Sequence, residues 1–205
     1  MPEANPKYTR GGGLLEPILA RYRANMANKL IPDHLRNGRI LDIGCGSYPY
    51  FLSHTAFEEK YAIDQLLPPE GTKQIQWHTL DLNNKPYLPY EDSFFHVVTL
   101  LAVIEHLDPA ILTDLFQQSF RILKPGGRLI LTTPAAWSDA LLRVMARLGL
   151  VSATEIAEHQ FSYTLPLIGW CFGQAGFQMS LIKFGYFEFF LNLWAVAEKQ
   201  PQDEQ

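Results

Sequence analysis

The chain contains the segment Arg39-Ile-Leu-Asp-Ile-Gly-Cys-Gly-Ser47, in which a short apolar run opens directly into a glycine-rich turn. A short apolar run bounded by turn residues is typical of a buried strand. Gly44 and Gly46 lack a Cβ atom, so the backbone there can turn sharply and approach a ligand closely. The segment therefore predicts a buried strand that ends in a ligand-binding turn, although a plain structural loop would also use these glycines.

Strands and helices are predicted to alternate along the chain around this segment. We expect strands over residues 39–43, 60–64, 73–80, 95–101, 128–133, 177–184 and 192–199. Helices are expected over residues 14–30, 48–54, 108–123, 137–148 and 165–175. Such alternation is typical of a parallel sheet with helices on both faces, and the last two strands, which have no helix between them, should pair antiparallel. The predicted fold class is α/β: a doubly wound, mostly parallel seven-stranded sheet with an antiparallel C-terminal hairpin.

The composition is that of one folded domain, and it disfavours several classes of function. The 205 residues suit a single domain, and the net charge of -4 comes from interleaved acidic and basic residues. The sequence contains no basic stripe of the kind that binds the phosphates of nucleic acids, so a nucleic-acid partner is not expected. Cys45, Cys171 and the six histidines form no metal-binding or disulfide pattern, so no metal is expected. Neither a signal peptide nor a run of membrane-spanning length is recognised, so we expect a cytoplasmic location.

Doubly wound sheets bind ligands beyond the carboxyl ends of their strands, and the informative residues of this chain follow the first four predicted strands. The candidates for ligand binding are Asp42, Gly44, Cys45 and Gly46 at the first strand, Asp64 and Gln65 at the second, Asp81 and Leu82 at the third, and Leu101 at the fourth. Glu105 and His106 come next, where chemistry would occur. Structural alternatives remain open: a turn at Asp64, an Asx turn at Asp81 and a helix cap at Glu105.

The spacing of two of these acids indicates an adenosine-containing ligand. Asp64 lies 22 positions after Asp42, at the end of the second predicted strand. At this distance from the first glycine turn, a carboxylate typically binds a ribose diol. A charge-assisted hydrogen bond of this kind contributes about 1.5–3 kcal/mol. Asp81 could accept a further bond from the exocyclic amine of adenine.

The first turn distinguishes between two adenosine-containing cofactors. A dinucleotide site uses the pattern G-x-G-x-x-G, and here the third glycine position is Pro49. The charge of Asp42 would repel a pyrophosphate but attract a ligand that carries an ammonium and a sulfonium group. The turn therefore favours S-adenosyl-L-methionine as the cofactor, with an NAD(P)-dependent oxidoreductase as the alternative.

Several motifs follow one another in a characteristic order: Ile40-Leu-Asp-Ile-Gly-Cys-Gly46, Ala62-Ile-Asp64, Leu80-Asp-Leu82, residues 96–107 and residues 123–131. Together they resemble class I S-adenosylmethionine-dependent methyltransferases of the methyltransferase type 11-like group, over roughly residues 40–177. The resemblance implies methyl transfer to a small or medium-sized molecule with an oxygen or nitrogen acceptor. A methyltransferase-like scaffold that binds the cofactor without turnover is a second alternative.

The resemblance also implies a role for each ligand-binding candidate. The methionine part of the cofactor would be held by Asp42, Gly44, Gly46 and Leu101. The ribose would be held by Asp64, and the adenine by Asp81 with the Leu82 amide. The chain departs from the family pattern at Tyr48, where many relatives carry glycine or another small residue.

Catalysis should rest mainly on orientation, because the methyl group of a sulfonium is already activated. Holding donor and acceptor in line can account for about 7–11 kcal/mol of the barrier. A general base adds about 10²–10⁴-fold when the acceptor must lose a proton. His106 and then His159 are the candidate bases, since histidine titrates near neutral pH, and Glu105 is the candidate orienting partner. A structural role for either histidine remains open.

We expect residues 1–200 to form a single methyltransferase domain. The N-terminal segment 1–30 and the insertion 135–163 are expected to act as a lid over the acceptor pocket. The aromatic segment 184–190 is expected to be a buried sheet edge or the contact of a homodimer. The expected partner is a small-molecule acceptor, without nucleic acid and without a transmembrane segment.

Overall fold

A computed structural model describes residues 14–83, 87–157 and 161–201, which form one seven-stranded sheet covered by helices. The strands are β1 (Arg39–Ile43), β2 (Glu59–Asp64), β3 (Ile75–Thr79), β4 (Phe95–Leu101), β5 (Leu123–Pro134), β6 (Ile182–Phe187) and β7 (Asn192–Glu198). The helices are α1 (Glu16–Leu30), α2 (Tyr50–Ser53), α3 (Pro109–Ile122), α4 (Asp139–Arg147), α5 (Ala153–Ala157) and α6 (Leu165–Gln174). Within the described ranges, none of the helices has the length and apolar character needed to cross a membrane.

The strand order is β3-β2-β1-β4-β5-β7-β6, and the first five strands of the chain are parallel. β7 pairs antiparallel with β5, and β6 pairs antiparallel with β7, so the last two strands form a hairpin at one edge. The chain moves from β1 outward to β3 and then returns to β4 on the other side of β1. This reversal between β1 and β4 is where doubly wound sheets bind ligands. The predicted fold class is confirmed.

The central strands are buried on both faces, which explains why their sequences are apolar without alternation. In β1, Leu41 and Ile43 belong to one hydrophobic cluster, and Ile40 belongs to the cluster on the other face. β4 divides in the same way, with Val98 in the first cluster and Val97 in the second. All five side chains are fully buried. The sheet edge at which β1 and β4 end is therefore held by a well-packed core.

Strand β5 begins earlier than the sequence predicted, at Leu123 instead of Arg128. Leu123 pairs with Phe95 and Arg128 pairs with Val97, so β5 advances five residues while β4 advances two. Residues 124–127 are thus an irregular bulge within the strand, because extra residues on one strand are left without a direct partner on the other. These residues, which lie between the predicted helix 108–123 and the predicted strand 128–133, thus belong to the strand.

Strand β6 is shifted relative to the prediction of residues 177–184, since it runs from Ile182 to Phe187. Phe177 is buried, and its amide donates a hydrogen bond to the Phe172 carbonyl oxygen at 3.1 Å, so Phe177 follows the end of α6 as a core residue. A short 3-10 turn, Met179–Leu181, then leads into the strand. The apolar pattern alone could not separate these roles.

Gly127→Ala is expected to destabilise the fold. A Cβ atom at residue 127 would lie 2.8 Å from the Lys124 carbonyl oxygen and 3.0 Å from the His96 carbonyl oxygen. Backbone atoms of a paired sheet cannot move aside as a side chain can, so overpacking should lower the free energy of unfolding by about 1–3 kcal/mol. Urea unfolding followed by circular dichroism measures the effect.

The matched control is Gly173→Ala in α6, where the nearest atom to an added Cβ is the Met179 sulfur at 3.7 Å. Alanine has the higher helix propensity, so this variant should be neutral or slightly more stable. Equal unfolding free energies for the two variants would contradict the steric explanation.

Candidate functional site

A cavity of about 410 Å³ opens at the carboxyl ends of β1 to β4 and brings most of the sequence-predicted site residues together. The predicted residues on its wall are Gly44, Cys45, Gly46, Asp64, Gln65, Asp81, Leu82, Leu101, Glu105 and His106. Its volume lies within the range of about 300–1,000 Å³ that is usual for small-molecule sites. Asp42 lies beneath the wall, and His159 lies outside the described residues.

Gly44 allows the carboxyl ends of β1 and β4 to approach each other closely. It has a φ of +73°, and a Cβ atom there would lie 2.5 Å from Cγ2 of Val103. Val103 reaches this position because Ala102, just beyond β4, itself adopts a φ of +57°. Both residues line the cavity. Sequence reasoning missed Ala102 and Val103, because an ordinary alanine and valine give no signal of an unusual backbone or of a tertiary contact.

Gly46 and Asp64 join the first turn to the end of β2. The Gly46 amide donates a hydrogen bond to Oδ2 of Asp64 at 2.8 Å, and the Leu66 amide donates to Oδ1 at 3.0 Å. A carboxylate has about four acceptor sites, so it can accept hydrogen bonds from several donors at once. Gly46 has a φ of +74°, and the space where its Cβ would point is open. The turn therefore leaves room for a ligand above it.

Asp42 is buried under the first turn, and its charge is not fixed at neutral pH. Its Oδ1 accepts a hydrogen bond from Oγ1 of Thr99 on β4 at 2.6 Å. Burial raises the pKa of Asp42 to about 7; the bond from Thr99 lowers this pKa, and the nearby charge of Asp64 raises it. The preference for a cationic cofactor inferred from the sequence depends on a permanent negative charge at this residue. The structure instead gives a carboxyl group that is only partly ionised at pH 7.

Asp81 shows both of the features that the sequence left as alternatives. Its Oδ1 accepts a hydrogen bond from the Asn83 amide at 3.0 Å, which is the Asx turn. Asp81 is also exposed and lies on the cavity wall, next to the buried side chain of Leu82. The turn therefore orients the carboxylate without removing it from the cavity.

Glu105 and His106 form a 3-10 turn between β4 and α3. Glu105 is buried, and its Oε2 accepts a hydrogen bond from Oγ1 of Thr133 on β5 at 2.9 Å. This bond anchors the turn to the next strand of the sheet. Both residues line the cavity, so the candidate base and its neighbour lie on the same wall as the predicted ligand-binding residues.

The opposite wall of the cavity comes from segments that are distant in sequence. It is formed by Glu16, Leu19 and Arg23 of α1, by Leu142 of α4, by Val151 and Ile156, and by Pro134, Glu188 and Asn192 beside the β6–β7 turn. The positions in α1 recur at helical spacing, so they share one face. Six of these nine residues lie in the segments 1–30 and 135–163 that were expected to form the lid, but none was individually predicted as a site residue.

Helix α1 is joined to the segment that leads from α4 to α5. The Leu15 amide donates a hydrogen bond to the Leu150 carbonyl oxygen at 2.8 Å. The Ser152 amide donates to Oε1 of the buried Glu16 at 3.0 Å. The other carboxylate oxygen of Glu16 lies 3.9 Å from the guanidinium of Arg23. Two hydrogen bonds and an ion pair thus connect the cavity-facing parts of this wall.

The β6–β7 turn carries three consecutive residues with a left-handed backbone, Glu188, Phe189 and Phe190, with φ values of 50°, 56° and 67°. Non-glycine residues pay about 1–2 kcal/mol each for this conformation. Phe189 is 94% exposed and Phe190 is 66% exposed. The expectation of a buried sheet edge over residues 184–190 was therefore wrong at the tip of the hairpin.

Comparisons with known proteins identify the family. A profile described as methyltransferase domain matches residues 16–181. Among curated proteins, no sequence matches this chain.

Solved structures with the same fold include three at low sequence identity. A possible exported protein from Bordetella parapertussis is 20% identical with a TM-score of 0.67, covering 92% of this chain and 70% of its own. A SAM-dependent methyltransferase from Archaeoglobus fulgidus is 16% identical with a TM-score of 0.64, and the match covers 90% of this chain and 94% of the other. An S-adenosylmethionine-dependent methyltransferase from Mesorhizobium loti is 18% identical with a TM-score of 0.60, and the match covers 92% of this chain and 99% of the other.

The cavity suits the cofactor that this family uses. Open space lies above Gly46, and the carboxylate of Asp64 stands at the end of β2. The carboxylates on the described wall outnumber the guanidinium of Arg23. A cationic adenosyl ligand is favoured in such a field, and a pyrophosphate is not. The chain belongs to the methyltransferase domain family, and it is a class I S-adenosylmethionine-dependent methyltransferase.

Proposed function

We propose that the protein transfers a methyl group to a small or medium-sized molecule through an oxygen or nitrogen atom. The observation that carries this proposal is the continuity of the cavity: one space runs from Asp64 and Asp81 to an apolar wall of Leu19, Leu142 and Val151. A site of about 410 Å³ lined by residues of α1, α4 and α5 suits a small acceptor better than a polymer.

The order of strands suggests how the cofactor lies in this space. We assign the adenine to Asp81 and Leu82 beside β3, the ribose to Asp64 and Gln65 beside β2, and the methionine part to Gly44, Cys45, Gly46 and Leu101 between β1 and β4, with Asp42 beneath. When bound, the cofactor supplies an activated methyl group on a sulfonium. The residues of the chain hold donor and acceptor in line and exclude water, which can account for about 7–11 kcal/mol of the barrier.

His106 is our candidate for the general base when the acceptor must lose a proton. It lies on the cavity wall in a turn that Glu105 anchors through Thr133. Glu105 thus acts as a positioning residue for the turn. His159 stays a candidate from the sequence alone.

We also propose that residues 1–200 work as one domain in which segments 1–30 and 135–163 act as the lid. Support comes from the described parts of both segments, which lie on the cavity wall opposite the sheet and are joined at Leu15 and Leu150. A cytoplasmic location and the lack of a nucleic-acid partner stay predictions.

A homodimer through the aromatic end of the hairpin is a further part of the proposal. Beside Phe189 and Phe190, helix α4 and its flanks expose the large apolar side chains of Trp137, Leu141, Val144 and Leu148. The Leu191 carbonyl oxygen accepts hydrogen bonds from the Ala135 amide and the Ser138 hydroxyl, which joins the two regions. Exposed apolar surface of this extent commonly marks an interaction site.

Asp64→Ala should weaken the binding of S-adenosylhomocysteine at least tenfold. The variant loses the carboxylate assigned to the ribose, a bond of about 1.5–3 kcal/mol, together with the acceptor that holds the Gly46 amide. Isothermal titration calorimetry measures the affinity. The control is Asp92→Ala, which removes an exposed carboxylate paired with Arg121. Unchanged affinity of a folded Asp64→Ala variant would show that the ribose lies elsewhere.

Binding of S-adenosylmethionine should strengthen as the pH rises from 6 to 8. With a pKa of about 7, Asp42 is mostly protonated at the lower pH and mostly ionised at the higher one, and only the ionised form attracts a cation. The ionised fraction rises from about one-tenth to about nine-tenths, so the affinity should rise by at most about tenfold.

The matched variant Asp42→Asn should show no such rise. Thr99→Val should move the rise to higher pH, because it removes the hydrogen bond that stabilises the ionised carboxylate. Calorimetric titrations at several pH values measure all three proteins. A flat profile in the unmodified protein would contradict the role given to Asp42.

Phe189→Asp should convert a dimer into a monomer, because it places a charge at the centre of the proposed contact. Size-exclusion chromatography with light scattering measures the mass of each species. Leu67→Asp is the control, since Leu67 is 78% exposed but lies beyond β2, on the other half of the sheet. A monomeric unmodified protein would refute the dimer without affecting the enzyme assignment.

The acceptor class itself is tested by incubating the enzyme with S-adenosylmethionine and panels of small alcohols, phenols and amines. Released S-adenosylhomocysteine is the readout. Turnover with members of these panels is expected, whereas turnover only with a macromolecular acceptor would overturn the proposal.

A further inference from the structure

Glu188 lines the cavity, and in the described part of the chain one of its carboxylate oxygens has no hydrogen-bond partner. Its Oε2 accepts a hydrogen bond from Nδ2 of Asn192. Its Oε1 is buried, and within the described part of the chain it has no hydrogen-bond partner. Leaving a buried carboxylate oxygen unsatisfied is unfavourable, so the position indicates a donor that arrives with a ligand.

The backbone around Glu188 is shaped to hold the side chain there. The residue has a left-handed backbone, and the turn is closed by a hydrogen bond from the Leu191 amide to the Glu188 carbonyl oxygen at 3.0 Å. Non-glycine residues adopt this conformation at ligand sites more often than elsewhere, when the surrounding structure holds them in it.

Glu188 stands at the end of the cavity away from the adenosine site. Its partner Asn192 is opposite Pro134, at the carboxyl end of β5, whereas Asp64 ends β2 on the other half of the sheet. Neighbouring strands are about 4.8 Å apart, and four such steps separate β2 from β7, roughly 19 Å. Groups that bind ribose or adenine therefore cannot also use Glu188.

The charge at this end of the cavity is negative. Glu16, Glu105 and Glu188 line it, and Arg23 supplies the only guanidinium on the described wall. Arg23 lies 3.9 Å from Glu16 and is close enough to Glu188 to lower the pKa of that carboxyl, against the stronger effect of burial, which raises it. One guanidinium shared between two carboxylates leaves an excess of negative charge.

We propose that the methyl acceptor is an amine with an apolar body, and that Glu188 binds its nitrogen. This inference rests on the proposed function, of which it names the substrate class. The ammonium group donates to Oε1 of Glu188, and the apolar body packs against Leu142, Val151 and Ile156. Glu188 is then a specificity-determining residue that touches the substrate.

The same oxygen accounts for the proton that the reaction must remove. An ammonium nitrogen has no lone pair, so one proton passes from it to Oε1 of Glu188, leaving a neutral amine and a neutral carboxyl group. The nitrogen lone pair then forms the carbon–nitrogen bond as the methyl–sulfur bond breaks, which gives a methylated ammonium ion and S-adenosylhomocysteine. Glu188 later releases its proton to solvent.

Three compounds of nearly the same shape test the proposal: 2-phenylethylamine as the cation, 2-phenylethanol as the neutral analogue and phenylacetate as the anion. Each is titrated by calorimetry, at millimolar concentration, into the full-length protein saturated with S-adenosylhomocysteine. The amine should bind at least tenfold more tightly than the alcohol. In Glu188→Gln this preference should fall to within about twofold, while the affinity for S-adenosylhomocysteine stays unchanged.

Glu58→Gln is the matched control, since Glu58 is exposed and lies just before β2, at the end of the sheet away from the cavity. It should keep the amine preference. The inference is overturned if the amine binds no more tightly than the alcohol, or if neither binds detectably. It is also overturned if phenylacetate is preferred, because Arg23 would then be the group that recognises the acceptor. The comparison on the unmodified protein decides the matter even if Glu188→Gln does not fold.

The outcome is separable from failure of the proposed function. Absence of S-adenosylhomocysteine binding would count against the cofactor site, and turnover of phenols or alcohols without amines would leave the methyl transfer intact while refuting Glu188 as the acceptor-binding group.

Discussion

The site depends on the contact between Gly44 and Val103. A single added carbon at residue 44 would lie 2.5 Å from the valine side chain, so the ends of β1 and β4 can converge only because this residue is glycine. The convergence brings the first turn, which lines the cavity, next to the turn that carries Glu105 and His106. The left-handed backbone at Ala102 costs about 1–3 kcal/mol, and the packed core beneath both strands maintains it.

Electrostatics within this frame are set by burial as much as by residue type. Asp42 and Asp64 both end strands at the same edge of the sheet, but their surroundings differ. Asp64 accepts two backbone amides, whereas Asp42 has a single hydroxyl donor from Thr99 and little contact with solvent. The same residue type is therefore a hydrogen-bonded carboxylate on the cavity wall at Asp64, and a buried carboxyl group with a pKa of about 7 at Asp42.

Local sequence was sufficient for most of the fold and for the cofactor side of the cavity, because strand ends, glycine turns and acids at strand ends are encoded within a few residues of each other. Gly44, Asp64 and Asp81 belong to this group, and all three line the cavity. The segments that contribute most of the opposite wall were expected as a lid, but its individual residues were not predicted, because their placement depends on long-range contacts. Arg23 and Glu188 are 165 positions apart in the sequence, and no periodicity relates them.

The wrong boundaries have related physical causes. Phe177 and Phe184 both look like strand residues, yet one packs behind α6 and only the other pairs in the sheet. Likewise, the bulge of residues 124–127 depends on the register between β4 and β5, which neither strand specifies alone. A pattern of apolar residues records burial, and burial is shared by strands, helix ends and bulges.

The joint between α1 and residues 150–152 bears on the kinetics of the enzyme. In the described part of the chain, hydrogen bonds join Leu14 to Gly149, Leu15 to Leu150, and Ser152 to Glu16 across these distant segments. These hydrogen bonds can break without unfolding the sheet, so local opening between the two segments is expected to need much less free energy than global unfolding. The residence time of the product in the enzyme then depends on how often these two segments separate. We expect product release, and not methyl transfer, to limit turnover.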